Sequence, residues 1–177
     1  DEMVDKMIAD GIAYESQGAT VVDIAEETDT KELPPCIVRK SDGAALYATS
    51  DLATIVEREK LYKPDTYIYL ADKRQELHFT QVFRTAKKAG IVRPDVNMTF
   101  VGFGTMNGKD GKPFKTRSGG VMRLEHLIAD IDNAVLNKIK ENRSVSEEEA
   151  QETSKIVGLA ALKYGDLSNQ ASKDYVF

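Results

Sequence analysis

Met3, Val4, Met7, Ile8 and Ile12 recur at three- and four-residue spacing, so residues 2–16 read as a helix with one buried face, stopped at Gly18. Residues 19–24 are short and β-branched, as a strand would be. A polar stretch then runs to Pro34-Pro35 and reads as a loop. Residues 37–40 and 44–48 flank Ser41-Asp42-Gly43, the pattern of a β-hairpin. Thr49 or Ser50 is placed to cap a following helix, which carries Leu52, Ile55 and Val56 on its turns and ends near Pro64.

The periodicity then changes to strand–helix–strand. Residues 66–71 are almost continuously apolar, which predicts a strand buried on both faces. Residues 75–89 present Leu77, Phe79, Val82, Phe83 and Ala86 at helical spacing and close at Gly90. Residues 98–103 form a second apolar strand, and a right-handed crossover would make the two strands parallel neighbours. Residues 104–120 break every pattern, with glycine at five positions and almost no apolar side chain. Beyond them a helix is predicted over 123–142. A second is capped by Ser146, with Glu147–Glu149 at the positive end of its dipole, and extends to about Tyr164. The chain divides on this reading into an α/β portion, 1–122, and a helical portion, 123–177.

Composition narrows the functional classes. No apolar run reaches the roughly 18 residues of a membrane span. Cys36 is the only cysteine, so neither a disulfide framework nor a cysteine-built metal site is available, and a reducing compartment is expected. The net charge of −5 argues against indiscriminate coating of nucleic acid, so any contact with a polyanion must be local. The chain opens at Asp1 within helical sequence and stops inside the apolar run Tyr175-Val176-Phe177, which suggests a segment of something longer.

Three groups of residues carry candidate chemistry. Tyr47 and Asp51 are predicted at a strand end and in the first turn of the next helix, where open α/β sheets bind ligands. The carboxylate could pair with a guanidinium and the ring could stack on it, or Asp51 could be an ordinary helix acid and Tyr47 a half-buried strand aromatic. Gln75 and His78 share a helical face just after the strand ending at Ala71-Asp72; the imidazole could touch a ribose or phosphate, or merely pack locally. Lys109, Lys112, Lys115 and Arg117 stand against the single Asp110 in the glycine-rich stretch, a composition suited to phosphates. A solvated hairpin is the plainer account, since Asn107-Gly108 and Asp110-Gly111 are turn dipeptides, and no Walker order of Gly, Lys and Ser/Thr is present.

Four blocks resemble the arginyl-tRNA synthetase family in its own order. Tyr47-Ala48-Thr49-Ser50-Asp51-Leu52-Ala53 resembles the family's arginine-binding segment, and Asp72-Lys73-Arg74-Gln75-Glu76-Leu77-His78-Phe79 resembles the next active-site segment. Phe103-Gly104 with Gly111-Lys112-Pro113-Phe114-Lys115-Thr116-Arg117-Ser118-Gly119 resembles the mobile lysine-rich loop of class I synthetases. Lys163-Tyr164-Gly165-Asp166-Leu167-Ser168-Asn169 and Asp174-Tyr175-Val176-Phe177 resemble the lead into the tRNA-contacting helices. The resemblance implies a partial Rossmann-type class I catalytic fold, a parallel sheet with flanking helices, followed by helical segments. It implies that Tyr47, Asp51 and Gln75 hold L-arginine and that His78, Phe103, Gly104 and Lys115 serve ATP. Lys112, Lys115 and Arg117 would act on the phosphates of Mg2+-bound ATP, with no resident metal or tightly bound cofactor. The implied protein is a cytoplasmic, monomeric ligase acting on tRNA(Arg), with no membrane partner. The family's His-x-Gly-His signature is absent from these residues, whose only histidines are His78 and His126, so that half of the active site is expected elsewhere and the segment alone is expected to be inactive. Another class I synthetase or nucleotidyl transferase, or a non-catalytic tRNA-binding module, is the competing reading.

Overall fold

The computed structural model describes residues 2–108, 110–112, 123–142 and 144–176, arranged as two compact units that part between Gly102 and Phe103.

The first unit begins with helix α1, Glu2–Ala9, followed by strands β1, Ala13–Ser16, and β2, Ala19–Val22. The helix predicted over 2–16 is therefore cut short. Gly11 adopts φ 70° and donates to Ile8 O at 3.0 Å, while Ile12 N–H reaches Met7 O at 2.9 Å. These two bonds close the last carbonyls of α1 around a left-handed residue. Gly18, expected to stop a helix, sits instead with Gln17 at positive φ in the two-residue turn joining β1 to β2. Strand β3, Cys36–Arg39, pairs antiparallel with β2. The turn after it forms, with Gly43 N–H on Lys40 O at 2.9 Å and Lys40 N–H on Ala44 O at 3.0 Å, but residues 44–46 lead straight into α2, Tyr47–Leu61, and no returning strand exists.

Strand β4, Thr66–Asp72, a short 3-10 turn, Lys73–Gln75, helix α3, Glu76–Lys88, and strand β5, Asn97–Phe103, form the strand–helix–strand unit. The two strands are hydrogen-bonded neighbours. Asn97 N–H donates to Asp65 O at 3.0 Å where both begin, and a Cβ on Gly102 would lie 3.0 Å from Lys73 where both finish. Starts thus lie beside starts and ends beside ends, the parallel arrangement expected of the crossover. Burial differs from expectation. Tyr67 is 5% exposed, but Ile68 and Leu70 on the opposite face are 69% and 67% exposed. Among the described residues the strand is covered on one face only.

Val4, Val22, Val38, Leu52, Ile55 and Val82 have no exposed surface and form one core contributed by α1, the antiparallel sheet, α2 and α3. Each such side chain contributes about 1.5–3 kcal/mol, against about 0–1 for an exposed ion pair, so this apolar contact governs how α2 and α3 sit. A more specific tie holds the loop after β2. Arg84 on α3 donates to both oxygens of Asp29 at 2.7 Å and to Ile24 O at 3.0 Å.

In the second unit, α4, Leu124–Asn142, and α5, Glu147–Leu167, pack against each other through Leu127, Ala150, Ser154, Gly158 and Leu162. Ser146 Oγ accepts from Glu149 N–H at 3.1 Å, the expected cap. Strand β6, Met106–Asn107, pairs in parallel with β7, Tyr175–Val176. This pairing places the start of the glycine-rich stretch within the second unit, which begins at Phe103.

Two outcomes test this description. The carboxyl of Asp29 is held at about 2, below its ordinary 3.8, chiefly by the hydrogen bonds from Arg84 and then by the Glu26 N–H. Its contribution to stability is complete above pH 4 and lost as pH falls from about 4 toward 2, because the unfolded chain takes up the proton first. Urea unfolding of Arg84→Met should show a shallower decline across that window than the parent chain; an unchanged slope would place the linkage elsewhere. Separately, a Cβ at Gly104 would overlap the backbone of Lys173 and Asp174. Gly104→Ala should therefore release residues 171–175, and the Thr105 and Tyr175 amides should exchange with solvent faster by about 30-fold, the worth of about two hydrogen bonds.

Candidate active site

The site is built where α2 and α3 begin. Thr49, 7% exposed, accepts from Leu46 N–H at 3.2 Å and donates to Val38 O at 2.6 Å. One hydroxyl thus caps the entry to α2 and fastens it to β3. Leu46 is the residue before the helix, not Thr49 or Ser50, and Thr49 acts from inside the first turn. Leu52 and Ile55 are thereby turned into the core, leaving Tyr47 and Asp51, four residues apart, on the outer face.

Tyr47 is the first residue of α2, not the end of a strand, and at 88% exposure it is far from the half-buried strand aromatic. Asp51 lies beyond the first turn, which holds no acid, so the helix dipole does not account for it. Its Oδ2 is 2.6 Å from His78 Nε2, with the two side chains 33% and 29% exposed. A carboxylate only accepts, so Nε2 is assigned as the donor. Among the described residues no side chain occupies Oδ1.

His78 is the third residue of α3, whose start is set by the end of β4. Asp72 Oδ1 accepts the Arg74 N–H at 2.9 Å and the Arg74 Nε at 2.8 Å, while Oδ2 takes a second guanidinium nitrogen at 2.6 Å. Arg74 holds the Asp72 carboxyl down at about 2. This turn reverses the chain into α3 and leaves Gln75 as its cap residue, exposed, with no side-chain cap bond. Behind His78, Phe79 stands edge-on to the imidazole at 5.0 Å and stacks on Phe100 at 5.2 Å. Tyr69 completes the wall, taking a bond from Arg58 at 3.2 Å, and burial raises its phenol.

Tyr47, Asp51, Gln75 and His78 are thus gathered on the adjoining starts of two helices, after β3 and β4. The arrangement offers a partly screened carboxylate with open lone pairs, an exposed ring and an amide, which suits a planar cationic donor. Sequence reasoning missed the Asp51–His78 bond, which joins positions 27 apart with no local pattern. It also missed Thr49 as an anchor; its place three residues after Leu46 was the available signal.

Phe103 ends β5 at 42% exposure. Gly104 donates to Ala171 O at 2.7 Å, and the side where a Cβ would stand is filled by Lys173 and Asp174, which explains a glycine there without a ligand. In the basic stretch, Gly108 donates to Lys112 O at 2.8 Å, Lys112 N–H to Asp110 Oδ1 at 3.1 Å, and Gly111 has φ 71°. The turn read from Asn107-Gly108 and Asp110-Gly111 is present, with Lys112 exposed on it. Lys109, Lys115 and Arg117 lie outside the described residues. No set of three His, Cys, Asp or Glu suited to a metal occurs among the described residues. An open groove of about 510 Å³ lined by Met3, Met7, Val56 and Ile91 holds none of these candidates, so shape alone does not mark the site.

Comparison with known proteins bears on the family of the chain. The family model described as tRNA synthetases class I (R), catalytic domain, matches residues 1–177. Arginine–tRNA ligase of Agathobacter rectalis is 62% identical over 99% of this chain and 30% of its own length, and that of Alkaliphilus oremlandii 59% identical over 100% and 30%. The chain spans about three tenths of the length of these curated relatives. Among solved structures, arginyl-tRNA synthetase of Plasmodium falciparum superposes with TM-score 0.78 at 21% identity, covering 99% of this chain and 28% of that one. That of Thermus thermophilus gives 0.75 at 15% identity over 99% and 35%. At those identities the likeness fixes the α/β class I catalytic fold, while the match along the whole chain and the close relatives fix the lineage: this chain belongs to the class I (R) tRNA synthetase catalytic-domain family.

Proposed function

We propose that this segment supplies the arginine-binding wall and part of the ATP machinery of an arginine–tRNA ligase. The observation that carries the reading is Asp51: a carboxylate whose Oδ1 takes no bond among the described residues, on the same face of α2 as the exposed Tyr47, in a chain of this family. A guanidinium fork fits such a carboxylate because each oxygen offers two lone pairs and His78 takes only one of the four. Tyr47 would cover the guanidinium plane, and Gln75 would take a remaining N–H or the substrate's α-amino group.

In the reaction so assigned, the arginine carboxylate attacks the α-phosphate of Mg2+-bound ATP, pyrophosphate leaves, and the arginyl group passes to the terminal adenosine of tRNA(Arg). Phe103, Gly104 and Lys115 are proposed for ATP, whereas His78, which the resemblance also points to ATP, has its Nε2 engaged with Asp51. Lys112, Lys115 and Arg117 are proposed to offset charge on the leaving pyrophosphate, where fixed cations act most strongly. The enzyme is proposed to be a cytoplasmic monomer.

In a full-length arginine–tRNA ligase carrying this segment, Asp51→Asn should raise KM for arginine by about 10- to 150-fold, the worth of about 1.5–3 kcal/mol for a hydrogen bond to a charged group, and leave KM for ATP nearly unchanged. Equal loss of both substrates would contradict the assignment. The segment by itself, assayed for arginine-dependent pyrophosphate exchange with tRNA present, should fall below the intact enzyme by more than about 10²–10³, the effect of removing one set of preorganised donors. Turnover within about tenfold of the intact enzyme would overturn the half-site argument.

A further inference from the structure

The histidine at 78 was expected on the nucleotide side of the site, yet its Nε2 is spent on Asp51 at 2.6 Å. That bond ties together two helices that share the apolar core. We infer that His78 is the positioning residue for the guanidinium-binding carboxylate: it fixes the rotamer of Asp51 so that Oδ1 and the remaining lone pair of Oδ2 face the substrate. The inference rests on the reading of Asp51 given above.

Asp51 stands on the outer face of α2, one third exposed, and its other side-chain oxygen has no bond among the described residues. Left alone, such a side chain would turn among staggered rotamers and much of its time would be spent aimed away from the substrate. The imidazole prevents this because it cannot itself move freely. It projects from the first turn of α3, whose start is clamped by the fork from Arg74 to Asp72, and it rests edge-on against Phe79, which is 7% exposed. The ring is thus held from below by the aromatic cluster and from its own helix by backbone geometry. Nδ1 makes no bond among the described residues, so the tautomer with the proton on Nε2 carries no buried penalty.

A side chain that only packs would affect both substrates or neither, whereas one that aims a carboxylate should act on the ligand of that carboxylate alone. The test uses a full-length arginine–tRNA ligase carrying this segment, assayed by pyrophosphate exchange with tRNA present. His78→Leu should raise KM for arginine about tenfold and change KM for ATP and kcat by less than about twofold. His78→Gln, whose amide nitrogen can occupy nearly the place of Nε2, should recover most of that loss. In an Asp51→Asn background His78→Leu should add almost nothing, since the bond is already compromised. If His78→Leu instead raises KM for ATP and spares arginine, or if the two losses multiply, the positioning role is refuted while Asp51 stands. If Asp51→Asn itself leaves KM for arginine unchanged, the reading of the site falls and this inference with it. Should the leucine variant fold poorly in thermal melting, His78→Gln and His78→Asn carry the same test, the shorter amide being expected to lose what the longer one keeps.

Discussion

Four rings join the aliphatic core in deciding where α3 lies. Tyr69 of β4 meets Phe79 at 5.0 Å and Phe83 at 5.2 Å, and Phe79 stacks on Phe100 of β5 at 5.2 Å. Rings of this size remove more apolar surface from water than any aliphatic neighbour, and their edge and face preferences restrict rotation as well as distance. With Phe79 seated, the preceding residue has only one direction to point, and that direction brings His78 to Asp51. The Thr49 hydroxyl does the corresponding work for α2, but its two hydrogen bonds, worth about 1 kcal/mol each, fix an angle more than they supply stability. The polar site is therefore a by-product of apolar packing behind it, and the ligand side of each helix is free to carry groups that contribute nothing to the core.

Much of this could be read in the chain. The strand–helix–strand unit was legible because its apolar runs are long and its helix period is clear, and Ser146 with its acidic triplet announced α5. The errors came where two local signals compete. The stretch after α1 keeps helical spacing through Ile12, but a glycine at φ 70° with two closing bonds outweighs one more apolar position. Residues 44–48 carry strand composition, yet the buried bond from Thr49 to Val38 converts Tyr47 into a helix start. Continuous apolar sequence at 66–71 reports what a strand can be buried against, not how much of its covering lies within these residues. Ile68 and Leu70 are the measure of that difference.

The candidate residues were legible one by one through family resemblance, but their relations were not. Gln75 and His78 share a helix and their proximity follows from spacing alone. Asp51 and His78 meet only through the packing of two helices, and nothing in either local stretch encodes it. Gly104 has a structural reason to be glycine that the sequence does not announce, since its own chain fills the space at Lys173 and Asp174.

That crossing also constrains the order in which the molecule can assemble. The Thr105 N–H finds the Asp174 carboxylate across 69 positions of sequence, and Gly104 and Tyr175 are joined to the same crossing by backbone bonds. Closing a loop of that length unaided is entropically unfavourable, and a few hydrogen bonds are too weak to offset it early. The hairpin of α4 and α5 shortens the path, since its two helices fold back and return the chain toward its starting point. The root of the basic loop is consequently a late-forming structure. Opening that hairpin would lengthen the loop to be closed and so weaken the root with it.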